Sequence, residues 1–131
     1  MAVIIDLNVD QGTTITDVFQ LNVLTHQTLP FNASTNPYIP FDLTGCTFNM
    51  MVRPDYDSPV KLTASSGNGK IVCAAPTTGI FSLNLSPADT TGIRFTGDSA
   101  SYVYDIEVTD QSGNVSRPVQ GAFNISREVT R

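Results

Sequence analysis

Apolar and polar residues alternate with a period of two along most of this chain, and the longest such stretch is residues 98–125. Tyr102, Tyr104, Ile106 and Val108 alternate there with Val103, Asp105, Glu107 and Thr109. The spacing predicts a strand with one buried and one wet face. Asp110-Gln-Ser-Gly113 supplies residues that accept turn geometry, so the chain is expected to fold back and lay Val115, Val119, Phe123 and Ile125 against the first strand. Taken as the whole loop, those four residues pair Val108 with Val115 and Tyr104 with Val119, and they set the Tyr102 ring over Gly121. Pro118 lacks the backbone donor that this ladder needs. A bulge or an edge position is therefore expected at Arg117-Pro118, letting Arg117 reach water.

The rest of the chain repeats the pattern in shorter pieces. Val3, Ile5, Leu7 and Val9 predict a first strand that ends at Asp10-Gln-Gly12, and Ile15, Phe19, Leu21 and Val23 share one face of a second over residues 14–24. Over residues 25–40 the period is lost, and three prolines predict an extended loop. Alternation resumes over 46–53, where Cys46, Phe48, Met50 and Val52 should point inward and Thr47, Asn49 and Arg53 outward, with Met51 the odd apolar residue outside. Pro54-Asp-Tyr-Asp-Ser-Pro59 is a turn cluster. Residues 60–63 make a short strand, residues 64–69 are small, polar and expected to be mobile, and residues 70–74 and 79–85 are strands joined by a turn at Ala75-Pro-Thr-Thr78. Ser86-Pro-Ala-Asp89 is a helix start, with serine as cap, proline in the first turn and an acid following. One helical turn closing at Gly92 is expected, with Ile93 and Phe95 tucking it against the core.

The 131 residues make a single domain, 1–131, large enough for its own core. The architecture that fits is all-β: an immunoglobulin-like antiparallel β-sandwich of about seven to nine strands, with one short helical turn near Ser86–Gly92. Asp98-x-Ala100-x-Tyr102 followed by Tyr104 resembles the immunoglobulin tyrosine corner, Tyr104 standing where antibody domains have cysteine. The absence of tryptophan and of a matching disulfide pair restricts that resemblance to the sandwich itself.

Charge and candidate chemistry narrow the picture. A net charge of −5 with seven scattered basic residues leaves no footprint for nucleic acid. No apolar run is long enough to cross a bilayer, and Asp6 interrupts Met1-Ala-Val-Ile-Ile, so neither a membrane segment nor an export signal is expected. Cys46 and Cys73 fall in phase with apolar strand residues and read as buried thiols in preference to a disulfide. With His26 the only histidine, they cannot form a zinc site. Asp55-Tyr-Asp57 and Asp105-x-Glu107 bring two carboxylates each, too few for calcium. His26 has no nucleophile in a recognisable motif beside it, and Gly67-Asn-Gly69-Lys70 lacks the spacing of a phosphate loop. The Asn-x-Ser sequons at Asn32, Asn84, Asn114 and Asn124 are coincidental in a chain rich in both residues. The expectation is a protein without catalytic activity and without a cofactor or metal.

The ordered landmarks Asp10-Gln-Gly12-Thr-Thr, Phe41-Asp-Leu-Thr-Gly45, Gly79-Ile-Phe-Ser-Leu-Asn-Leu85, Tyr102-Val-Tyr104-Asp-Ile106-Glu, Gly113-x-Val115-x-Arg117, Gly121 and Glu128-Val-Thr-Arg131 resemble those of small virion proteins of tailed bacteriophages. They are also similar to the immunoglobulin-like N-terminal domain of phage baseplate upper proteins. The resemblance implies a non-enzymatic structural protein of the virion, a tail baseplate or tail-fibre adaptor assembled in the host cytoplasm. It would contact other virion proteins and further copies of itself. A capsid cement or decoration protein is the structural alternative. Within the irregular loop, His26, Leu29, Pro30, Phe31, Pro37, Tyr38 and Ile39 are the expected partner contacts. A reading of another class is a host-glycan-binding module that uses Tyr56, flanked by Asp55 and Asp57, as a stacking platform.

Overall fold

The computed structural model describes residues 3–24 and 38–129. In chain order its strands are β1 (Val3–Ile4), β2 (Leu7–Asp10), β3 (Ile15–Gln20), β4 (Asn22–Leu24), β5 (Tyr38–Pro40), β6 (Thr47–Arg53), β7 (Leu62–Ser65), β8 (Ile71–Ala75), β9 (Ile80–Leu85), β10 (Ser99–Thr109) and β11 (Val115–Ser126). A 3-10 turn, Pro76–Thr78, precedes β9, and a short helix α1, Pro87–Thr91, follows it. One sheet runs β1-β11-β10-β6-β7 with β2 also on β11, the other runs β3-β9-β8, and β4 and β5 form a separate ribbon. The result is an all-β sandwich of two sheets.

Alternation builds both inner faces. Phe48, Met50, Val52, Tyr102, Tyr104, Ile106 and Val108 from the larger sheet meet Phe19, Ile71, Phe81, Leu83 and Leu85 from the smaller. The Phe81 ring lies 5.2 Å from that of Phe19 beside it and 4.8 Å from that of Phe48 across the core. Burying rings of this size supplies much of the driving force for closing the two sheets. The α1 link between the sheets is capped as its sequence predicts: the Ser86 hydroxyl accepts from the Asp89 amide, and the Asp89 carboxylate accepts from the Ser86 amide at 2.8 Å. Lys70 Nζ sits 2.8 Å from the same carboxylate. Behind α1, the buried Gln11 donates to the Ile93 carbonyl at 3.0 Å and accepts from the Glu128 amide at 3.2 Å, so neither end of its amide goes unmet.

Several expectations are corrected. The β10–β11 loop holds five residues, 110–114, because the Asp110 carboxylate accepts from the amides of both Ser112 and Asn114. Val108 therefore faces Ser116, not Val115. That single slip turns Val115 outward, where it is 60% exposed. The bulge expected at Arg117-Pro118 is present opposite Glu107, and it restores the phase of everything after it. Ile106 then faces Val119, Tyr104 faces Gly121, and Phe123 and Ile125 return to the core. The residue over Gly121 is thus Tyr104, not Tyr102.

The first strand is also interrupted. β1 and β2 keep one parallel register on β11, but between them Gly121 presses against the Ile5 carbonyl and the Asp6 carboxylate accepts from the Ala122 amide at 3.0 Å. A side chain here replaces a rung of backbone ladder. Tyr104 donates its hydroxyl to the Ile5 carbonyl at 2.5 Å, so the tyrosine that ties strand to strand is the second of the pair.

Of the loop expected over 25–40, residues 38–40 are instead strand β5, paired to β4, and residues 25–37 lie outside the described residues. Gly79, at φ 71°, fits under this ribbon: a Cβ there would collide with the Leu21 carbonyl, which accepts from the Phe41 amide. The segment expected to be mobile after residue 63 contributes Ala64 and Ser65 to β7, with Ala64 fully buried. The turn after it is tied by Asn68, whose Oδ1 accepts from the Ser65 and Lys70 amides. Cys46 and Cys73 are free thiols and only partly buried.

Candidate functional site

The outward positions of β6, β10 and β11 form a grid of side chains. Register sets Gln120 beside Asp105 and Asp105 beside Met51; it sets Ala122 beside Val103, Val103 beside Arg53, and Glu107 beside Asn49. The β6–β7 turn rises from this face. Asp55 shapes the turn, accepting from the Ser58 hydroxyl at 2.8 Å and the Asp57 amide at 2.9 Å, and these donors hold its carboxyl below the usual carboxylate range. Arg53 clamps the turn from within the grid, Nη1 donating to the Ser58 carbonyl at 2.9 Å.

With the turn pinned at both points, Tyr56 projects outward, 80% exposed, and walls a groove of about 340 Å³ over the grid. The groove's polar lining is Asn49, Arg53, Asp105, Glu107 and Gln120, and Met51 and Val103 give it apolar ground. Asn49 Oδ1 is shielded from solvent and has no donor among the described residues. Leaving such an acceptor unmet costs on the order of 1–3 kcal/mol. Arg117 approaches Asp105 at 3.6 Å, but both are substantially exposed, and a pair of this kind contributes little.

The opposite outer face, on the three-stranded sheet, has a different character. Val18 and Val72 flank Ser82 in one row, and Ile80 adjoins them two residues along β9. Val18 is 66% exposed and Val72 44%, and Ile80 is exposed as well. Ser82 separates the two valines, and nothing in the described chain covers these three exposed aliphatic side chains.

Of the residues singled out from sequence, Tyr56 is in the groove. Asp55 is committed to the turn, and Asp57 is exposed on that turn but does not line the groove. His26, Leu29, Pro30, Phe31 and Pro37 lie outside the described residues. Tyr38 and Ile39 pair with Leu24 and Val23 in the β4–β5 ribbon. Asp105 and Glu107 do share a face, as their spacing requires, but among the described residues no group of three or more His, Cys, Asp or Glu gathers at one point. Burial pushes both thiols up, so Cys46 and Cys73 are poor nucleophiles at neutral pH. No helix among the described residues is long and apolar enough to cross a membrane.

Sequence reading missed Asn49, Arg53 and Gln120 as neighbours of Tyr56. Their outward phase is visible in the alternation of β6 and β11, but their adjacency needs the register.

No family model matches the chain, and no curated protein matches it. Among solved structures, that of murine CRIg is similar, with 12% sequence identity and a TM-score of 0.37, covering 94% of this chain and 92% of that one. At that identity and overlap the likeness carries no inference about what this chain binds.

Proposed function

We propose that this chain is a non-enzymatic structural module that works by docking against other protein surfaces, as a component of a tailed-phage virion. The place that fits the ordered landmarks is the tail, as a baseplate or tail-fibre adaptor. The observation that carries the docking role is the apolar row Val18–Ser82–Val72 with Ile80 beside it, spread over the outside of a rigid sheet. Scattered exposed apolar residues need no explanation, but three exposed aliphatic side chains grouped around Ser82 on one sheet face have the character of an interface. The net charge of −5 keeps such a chain soluble until it is incorporated. Landmarks resembling those of small virion proteins supply the particle; the exposed row supplies the mode of contact.

The test is location and dependence. Purified particles are digested and analysed by mass spectrometry, and tailless heads are compared with whole particles. The expected result is this chain in whole particles and its absence from tailless heads. Retention on tailless heads would assign the capsid cement role instead. The double variant Val18→Asp, Val72→Asp should fold, because both positions face outward, yet fail to enter particles. A chain absent from particles, or particles that incorporate the double variant normally, overturns the docking role.

A further inference from the structure

The groove under Tyr56 lies on the face of the sandwich away from the apolar row, and the docking role makes no use of it. We infer that it is a binding site for a neutral pyranose, the ring of a sugar or of one unit of a glycan. This goes beyond the docking role and does not rest on it.

Three observations converge. Tyr56 offers an exposed aromatic face at the groove wall, held by a turn that Asp55 and Arg53 fix in place. A rigid ring of this kind suits the apolar C–H face of a pyranose, and its immobilisation has already been met by folding. The second observation is the polar lining: Asp105 and Glu107 bring acceptor oxygens, Arg53 brings donors, and the amides of Asn49 and Gln120 carry both. A ligand that matches them must offer donors and acceptors together, as the hydroxyls of a sugar do. The third is Asn49 Oδ1, an acceptor without a donor at a position that lines the groove. A small swing of the Asn49 amide towards an incoming hydroxyl would satisfy it. The volume of about 340 Å³ lies at the small end of the range of ligand pockets, about 300–1,000 Å³, and so matches one or two sugar rings.

The same lining sets the selectivity. Asp105 and Glu107 stand two residues apart on the outward face, and the two cations near them are already engaged: Arg117 lies 3.6 Å from Asp105, and Arg53 donates Nη1 to the Ser58 carbonyl and Nη2 to the Met51 sulfur. A carboxylated sugar would meet like charge there. Neutral sugars are therefore favoured over acidic ones.

Amide shift mapping by NMR on the full-length chain tests the site, with glucose, galactose, lactose and N-acetylneuraminic acid as probes. The expected result is saturable shifts at the amides of Asn49, Tyr56, Asp105 and Glu107 with at least one neutral probe, at an affinity on the order of millimolar. Tyr56→Ala should weaken that binding about tenfold, and Tyr56→Phe should retain it, because stacking needs the ring and not the hydroxyl. Tyr56 is so exposed that neither change threatens the fold, and an unchanged amide spectrum away from the turn will verify it. Absence of saturable shifts at tens of millimolar overturns the site. So do shifts confined to another face, equal binding by Tyr56→Ala, or N-acetylneuraminic acid binding as tightly as the neutral sugars. Particle incorporation is scored separately, so losing the sugar site leaves the docking role standing and the converse also holds.

Discussion

The Tyr104 hydroxyl reaches 2.5 Å to the Ile5 carbonyl across the one point where the edge strand leaves the ladder. Its neighbour Gly121 is what allows the approach, since any side chain there would strike Ile5. Burial, with the charges of Asp6 and Asp17 nearby, pushes the phenol of Tyr104 far up from its ordinary value. A folded-state value raised above the unfolded one means stability that is complete below about pH 10 and lost as pH rises through the folded value. Tyr104→Phe keeps the ring in the core and removes only the bond. It should cost about 1–2 kcal/mol at neutral pH in urea unfolding. The variant should also lose less stability than the parent between neutral pH and about pH 11, since it has no phenol left to ionise. Equal alkaline loss in the two proteins would assign that limb to other groups.

At the scale of the element, the β10–β11 hairpin is governed by two insertions that act in opposite senses. The fifth loop residue turns Val115 out, and the bulge at Arg117-Pro118 turns Val119, Phe123 and Ile125 back in. Deleting Asn114 should shorten the loop and disturb only the exposed segment before the bulge, at a cost of about 1–2 kcal/mol. Deleting Pro118 removes the re-phasing step, so three fully buried side chains would face water and the cooperative transition should disappear. Circular dichroism across a urea titration separates the two outcomes. The bulge itself was legible, because a proline in an interior ladder must be accommodated, and so was the α1 cap at Ser86. The loop length was not, since Asp110 closes equally well on Gly113 or Asn114 by local hydrogen bonds that alternation does not record. That ambiguity also hid the groove. Pairing Val108 with Val115 sets Asp105 opposite Pro118, whereas the true register brings Gln120 to it and completes the lining beneath Tyr56. Tyr56 stood out as an aromatic between two acids, but its neighbours come from strands whose alignment no single segment specifies.

For the whole molecule, the balance between net charge and the apolar row decides whether copies stay apart. The chain carries −5 at neutral pH, and its composition sets the point of zero net charge near pH 4.4. Folding should survive to that point. Donors from Thr44 to Asp42, from Ser58 to Asp55, and from Asn114 to Asp110 hold those carboxyls below their ordinary values. At Asp89 burial opposes ionisation, but Lys70 and Ser86 outweigh it and again lower the value. Groups depressed in the folded state contribute stability above the unfolded value of about 3.9, and lose it as pH falls through their folded values. Acid unfolding therefore belongs below about pH 4, and because the depressed carboxyls draw the folded chain's point of zero charge somewhat below the 4.4 set by composition, a window between about pH 4 and 4.4 remains in which the native sandwich has little net repulsion. There the row Val18–Ser82–Val72 should draw copies together, and light scattering should show reversible, concentration-dependent association with the circular dichroism spectrum unchanged. Val18→Asp with Val72→Asp should abolish that association even after the pH is readjusted to the variant's own point of zero charge. Should the variant associate as the parent does, the self-contact would lie on another surface, and the row would be left for unlike partners alone.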